Sequence, residues 1–422
     1  MMILFAATAL WAGGDEQKRD RVRYEKYYRD PALKEMAERT DSLDALRDSI
    51  TAEIEDEWKK KREKDKEDRK VIRFDFGNVE KPGSPAEFDA PFHFPPVAQY
   101  YTSTCWSFAT ISFLESEINR LSSREVKLSE LYTAYWEFVE KARGFVRSRG
   151  NRIFPSGSES DAVLIIWKTY GIVPAEAYTG LIPGETRHDH RAMMHEMENF
   201  LDFCRDNEYW DENMVVEHIR EILDRHIGRP PEEFVYKGKR TTPQRFLKDV
   251  VSLELDDYIQ LMSTLSLPFF SFGEFEVPDN WRPTETYYNV PLERYYDCIA
   301  AATDMGHTVC IGGDISEPGY NGFEDAAIVP TFDIPQDFID QDSREFRFYN
   351  RTTEDDHGVH LLARLRIGER DWFLIKDSAR SARHGSHEGY YFYRDDYVRL
   401  KMLTFMVHRD VVERAIPEFE SK

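Results

Sequence analysis

No run of about 18 apolar residues occurs in this sequence, so nothing in it reads as a membrane-spanning helix. Basic residues are also outnumbered: 56 Lys and Arg against 78 Asp and Glu leave a formal net charge of −22. Binding DNA or RNA requires a basic face that survives such an excess, so a nucleic-acid partner is not expected. Cysteine is scarce, with four residues in 422, and Cys105, Cys204, Cys298 and Cys310 form no C-x-x-C pair. That spacing disfavours a zinc knuckle or a thioredoxin-like redox site. In an exported chain a pair such as Cys298 and Cys310 could still oxidise. Apolar material, by contrast, is plentiful. With 41% hydrophobic and 14% aromatic residues, the chain can bury a large core, and its length suits two or three packed units.

The chain starts with an apolar stretch from Met2 to Ala12, followed by Gly13-Gly14 and an abrupt change to charge. Residues 1–14 read as a short signal peptide, which implies an exported or periplasmic protein. The usual basic start is absent apart from the terminal amine, and the alternative is a cytoplasmic protein with an apolar beginning. Residues 15–70 are dense in charge, and every residue from Lys59 to Lys70 is charged. Such a run cannot bury itself. It reads as a solvated helix or linker, with a basic docking site as the sharper alternative. A proline-rich passage then precedes the cysteine motif, and the main folded unit is expected to begin near Val71.

Beyond that point Ile111, Leu114, Ile118 and Leu121 fall at helical spacing, with Glu115, Glu117 and Arg120 between them. This predicts an amphipathic helix whose first turn carries Cys105. A second helix is expected after a Ser129 cap, and a third that Gly171 ends. The chain therefore divides into a helical half at 71–186, a mostly helical insertion at 187–302, and a β-rich half at 303–422. The last part holds the strand-like runs "HTVCIGG", "HLLARLRI", "DWFLIKD" and "LTFMVH". No internal repeat is present.

A thiol in the first turn of a helix feels the positive end of the helix dipole, which favours thiolate over thiol. A lone cysteine is more often inert and buried, so a partner base is required. One lies in "TTEDDHGVHLLARLRIGERDWFLIKDSAR". A hairpin turning at "IGER" and centred near Ile367 would set His357 directly opposite Asp377, and His360 opposite Leu374 on the other face. Asp377 would then orient His357 toward the thiol, which is the logic of nucleophile, base and orienter.

Gln99, then Cys105-Trp106-Ser107-Phe108, then His357 and "KDS", in that chain order, resemble the papain superfamily of cysteine peptidases. More narrowly, "KLSELYTAYWEFVEK", "GIVPAEAYTG" and "FEVPDNW" with "YYNVPLE" resemble its bleomycin hydrolase and aminopeptidase C branch. The resemblance runs from about Val71 to Val412. It implies an α+β papain-like fold, with Cys105 as nucleophile, His357 as base and Gln99 as side-chain donor to the oxyanion. Trp106 takes the place of the packing residue after the nucleophile. Gly157 and Ser158 stand where relatives present glycines to the substrate backbone.

Two departures accompany these matches. Asp377-Ser378-Ala379-Arg380 replaces an asparagine followed by Ser-Trp-Gly, so the shielding tryptophan is missing. An aspartate there adds a negative charge that favours imidazolium. In that branch a C-terminal arm runs into the cleft and its carboxylate holds the substrate's amino group, whereas this chain ends in "DVVERAIPEFESK".

The expected reaction is peptide hydrolysis through a thioester acyl-enzyme, with peptide substrates, no cofactor and no metal. By resemblance it is an aminopeptidase, and a homo-oligomer is allowed for, since related enzymes form hexamers. The alternatives are an endopeptidase, a transglutaminase-like acyl transferase and a catalytically impaired peptide-binding homologue. His188, His190 and His195 lie close in sequence but match no metal-ligand pattern and read as a solvated helix start. "CIGGD" lacks the spacing of a phosphate loop and reads as a strand end, with "DISEPGYNG" as a loop near the cleft mouth.

Overall fold

The computed structural model describes residues 23–419, so the signal peptide expected at 1–14 lies outside the described residues. The chain forms two units, one ending at Val71 and the other beginning at Ile72. The first contains helix α1 (Pro31–Glu67), started by Pro31 and by the Asp30 carboxylate, which accepts from the Ala32 N–H at 2.8 Å. α1 buries no side chain, as its charge density dictates.

The second unit opens with five helices, α2 (Cys105–Ser122), α3 (Glu130–Arg147), α4 (Ser160–Tyr170), α5 (Arg191–Asp206) and α6 (Glu212–Ile227). Ser129 caps α3 by accepting from the Tyr132 N–H at 3.1 Å. Gly171 ends α4 with a φ of 73°, a conformation that costs glycine little. A small hairpin of β1 (Phe234–Tyr236) and β2 (Lys239–Thr241) follows, and then the short α7 (Pro243–Phe246).

The rest of the chain builds one sheet. Its strands are β3 (Tyr258–Met262), β4 (Ser271–Gly273), β5 (Tyr287–Asn289), β6 (Val309–Gly313), β7 (Tyr320–Asn321), β8 (Ala326–Ala327), β9 (His357–Ile367), β10 (Arg370–Lys376), β11 (Tyr390–Arg394) and β12 (Met402–His408). They lie side by side in the order β4-β5-β3-β12-β6-β9-β10-β11-β8-β7. Between them run α8 (Leu292–Asp304), α9 (Gln341–Tyr349) and α10 (Asp395–Lys401), and α11 (Arg409–Ala415) follows β12.

Side-chain alternation along β6 shows how the layers meet. Cys310 joins the apolar cluster of α2 to α6 on one face, while Val309 and Ile311 join α8, α10 and α11 on the other. The sheet is thus covered on both sides, with α2 lying across β9.

Three expectations need correction. The segment 187–302 is not mostly helical, because β3, β4 and β5 fall within it and extend the sheet. All five residues of β3 are buried, so it carries no polar and apolar alternation to separate it from a short helical run. α2 begins at Cys105, but its charged residues do not make the polar face of an amphipathic helix: Glu115 and Glu117 are buried, and each has a cationic partner, Lys127 at 2.9 Å and Arg120 at 2.6 Å. Cys298 and Cys310 are both free thiols that serve opposite faces of the sheet.

Candidate active site

Cys105 is the first residue of α2 and is partly exposed, while Trp106 behind it is buried in the core. Thr104, at the N-cap, makes no side-chain capping bond, so the cysteine sits at an uncapped helix start. His357 opens β9, pairing with Gly313 of β6, and its ring meets the Cys105 thiol. Next to it, Gly358 lies against the backbone of Trp106, which brings the first turn of α2 onto the start of β9.

On the far side of the ring, Nε2 of His357 lies 2.7 Å from Oδ1 of Asp377. That carboxylate is buried and accepts twice more, from the Ala379 N–H at 2.7 Å and the Tyr320 hydroxyl at 3.2 Å. Burial alone would raise its pKa, but His357 and these donors hold it below the usual aspartate value. Burial likewise opposes protonation of His357. Asp377 first, and Cys105 with it, outweigh that cost and keep the imidazole well above its ordinary value.

The register differs from the one expected. β9 and β10 pair Leu374 with Ala363, then shift at a bulge so that Ile375 faces Leu361 and Lys376 faces His360. His357 and Asp377 are therefore not directly opposed residues of the ladder. They meet beyond its end, where β10 has stopped and the Asp377 N–H donates to the Gly389 carbonyl at 2.9 Å. His360 does not face Leu374. It is buried, with Nδ1 on the Ser112 hydroxyl at 2.8 Å, and burial drives its pKa well down.

Gln99 is tied to the Asp377 segment twice. Its N–H donates to the Ser378 carbonyl at 3.0 Å, and its Oε1 accepts from the Ser378 hydroxyl at 3.4 Å. With the amide oxygen occupied, the NH₂ end is the one left to donate. Gln99, Cys105 and His357 line one cavity of about 630 Å³.

Gly157 borders the same cavity, but its Cα is covered by Asp279. An added Cβ would lie 1.9 Å from the Asp279 carboxylate. Ser158 turns inward and donates to the buried Glu137 at 2.7 Å.

Two residues of the segment read from sequence only as a loop near the cleft mouth bear on the site. Tyr320, which opens β7 within "DISEPGYNG", is buried, stacks on Tyr391 with ring centroids 4.5 Å apart, and holds Asp377. Asp314 accepts from the Ser316 N–H at 2.7 Å and the Glu354 N–H at 2.9 Å, fixing the segment that leads into His357. Neither stands at a spacing that local pattern could detect. Ala379 stands at the position expected for the shielding tryptophan, and the next residue, Arg380, donates to the Tyr101 hydroxyl at 3.0 Å.

The histidine cluster is not a solvated helix start at His190. That ring is 2% exposed, and burial pushes it down to about 3, because the His190 N–H is pinned to the Tyr101 carbonyl at 3.0 Å. His195 is exposed, bonded to Asn199 at 3.1 Å, and no group of three metal-ligating side chains occurs among the described residues.

A solved structure of PepW from Lactobacillus rhamnosis superposes on 81% of this chain and 87% of its own, with a TM-score of 0.62 at 16% identity. The fold is papain-like. In sequence the chain is similar to the proteins named Aminopeptidase C of Listeria innocua, 24% identical over 262 residues, and Streptococcus thermophilus, 22% identical over 260. Each match takes in 52% of this chain and 58% of the relative, so the chain spans little more than half the length of those curated proteins. No family model matches it. Cys105 lies in the helical half, His357 at the start of β9 and Asp377 just past the end of β10. No described helix is long and apolar enough to cross a membrane.

Proposed function

We propose that this protein is a cysteine peptidase of the aminopeptidase C type, hydrolysing peptide bonds through Cys105, His357 and Asp377. The observation that carries this reading is the continuous contact from the Cys105 thiol through the His357 ring to Asp377, at the wall of a cavity large enough for a peptide. Likeness to Aminopeptidase C proteins supports the same reaction class.

In this reading His357 receives the thiol proton and Cys105 attacks the substrate carbonyl. The Gln99 amide and the Cys105 backbone N–H donate to the oxyanion that forms. The amine leaves with the proton from His357, and water then releases the thioester with the ring acting as base. Asp377 keeps the imidazole in the orientation that both steps use.

The test is labelling with an epoxide peptide probe on wild type, Cys105→Ala and His357→Ala, with peptide products followed by mass spectrometry. The expected result is a label on Cys105, lost in both variants, and single residues released from amino ends. Internal cuts would move the protein to the endopeptidases, and transfer of the acyl group to an added amine would favour an acyl transferase. No label and no products under reducing conditions would leave a peptide-binding protein on this fold.

A further inference from the structure

Cys105 faces an excess of carboxyl groups. A small inner pocket of about 30 Å³, continuous in its lining with the main cavity, is bounded by Cys105, His357, Glu159, Asp279, Asp355 and Asp356. Among the described residues none of these four acids makes a salt bridge. His357, whose ring is held charged, lines the same pocket, and the next cation, Lys141, spends its ammonium on the Pro155 carbonyl at 2.8 Å and on the Gly157 carbonyl.

Glu159 adds an independent observation. It is 6% exposed, and its Oε2 accepts weakly from the Tyr287 hydroxyl at 3.3 Å. No donor reaches Oε1, which is buried on the pocket wall. The group it meets there is the Asp355 carboxyl, another acceptor, so the contact needs a proton or a cation between them. Burial first, and then Asp355, raise Glu159 well above a normal glutamate, while burial, with Asp279 and Asp356, raises Asp355 to about 7 against the pull of Glu159.

Size decides what kind of cation fits. A site of this volume holds a group about as large as one water molecule. An ammonium meets that limit and brings three donors, whereas a guanidinium is larger and planar.

We propose that Glu159, Asp279 and Asp355 form the seat for a primary ammonium group of the peptide whose carbonyl reaches Cys105. This rests on the peptidase reading and adds to it the charge that the substrate must carry. The ammonium is either the α-amine or a lysine side chain. The C-terminal segment does not occupy this face in the described residues. The Tyr288 hydroxyl donates to the Glu418 carbonyl and its ring packs on Phe419, while the neighbouring Tyr287 is the one that bonds Glu159. Successive residues of a strand point to opposite faces, so Glu418 and Phe419 pack on the side away from the seat.

The test uses the full chain carrying Cys105→Ala and calorimetric titration with four versions of one peptide. Its α-amine is free or acetylated, and its first side chain is lysine or norleucine. A peptide with an ammonium in the correct place should bind about tenfold more tightly than the acetylated norleucine version. The position that carries the gain identifies the source. Adding Asp355→Asn or Glu159→Gln should cut the gain to about threefold or less, with melting curves confirming that each variant is folded; if Glu159→Gln does not fold, Asp355→Asn decides. Equal affinity for all four peptides, no binding of any, or a gain untouched in the folded variants would overturn the proposal.

Incubating wild type with the same peptides separates the two readings. A charge preference without cleavage removes the peptidase reading and leaves the seat standing. Cleavage of all four at equal efficiency removes the seat and leaves the peptidase.

Discussion

Nε2 of His357 lies 2.7 Å from Oδ1 of Asp377, and the same carboxylate is held by a backbone N–H and a tyrosine hydroxyl. The ring is buried, which disfavours its charge, yet Asp377 and Cys105 keep it protonated well above the ordinary histidine value. Activity that depends on the imidazolium should therefore persist well above pH 6.5 and fall on an alkaline limb. Asp377→Asn removes the larger of the two stabilising charges. The alkaline limb of kcat/KM should move to lower pH by about one unit or more. A pH profile of peptide hydrolysis checks this, and an unmoved limb would mean that Asp377 does not set the charge of His357.

Tyr320 acts on the site through Asp377 and is a positioning residue. Tyr320→Phe keeps the stack on Tyr391 and removes the donor to Oδ2 together with the 3.2 Å hydrogen bond between the Tyr320 and Ser381 hydroxyls. The carboxylate then has two partners instead of three. A drop in kcat of about three- to tenfold is expected, with KM and melting temperature nearly unchanged. A purely structural role for the residue would instead lower the melting temperature and leave the kinetics of the folded fraction alone.

How much of this was legible in the sequence follows from which signals are local. The start of α2 at Cys105, the Ser129 cap and the Gly171 stop are written in neighbouring residues and occur where expected. Gln99, Cys105, His357 and Asp377 could be picked out by residue type and chain order; the first three line one cavity, and Asp377 lies buried behind the His357 ring. The route by which His357 meets Asp377 was not legible. A bulge between Leu374 and Ile375 changes the register, and the side chains meet outside the ladder, in geometry that no count along a hairpin contains. β3 was hidden because strands buried on both faces lose their alternation. Tyr320 in β7 and Asp314 just after β6 lie some tens of residues before His357, and only the closed fold shows their partners.

The carboxyls beside Cys105 should leave a mark on stability. Asp355 titrates near 7 in the folded protein, first through burial and then through Asp279 and Asp356, against the pull of Glu159 and His357. In the unfolded chain an aspartate titrates near about 3.9. A group raised in this way contributes stability below its unfolded value, and that contribution is lost as pH rises through 7. Between pH 5 and pH 8 the melting temperature of Asp355→Asn should gain on wild type by about 2–4 °C, measured without peptide. A difference that stays constant with pH would show that Asp355 ionises as freely in the folded protein as in the unfolded chain.

Gly171 tests the packing that carries the helical half. Its backbone has φ 73° and ψ −159°, a region essentially confined to glycine. A Cβ built there would lie 2.3 Å from the carbonyl carbon of Pro243 and 2.5 Å from the Gln244 nitrogen. Neither is the end of a flexible side chain that could swing aside. α4 would have to part from the start of α7, and with it the contact between the Ile172 N–H and the Pro243 carbonyl at 3.3 Å. Gly171→Ala should cost about 2–4 kcal/mol by denaturant unfolding, through strain and overlap together. Gly184→Ala provides the control, since that glycine also has positive φ but meets no atom within 4 Å of an added Cβ. It should lose about 1 kcal/mol, the strain alone. Equal losses at the two positions would mean that the close approach of α7 to the end of α4 does not constrain the fold.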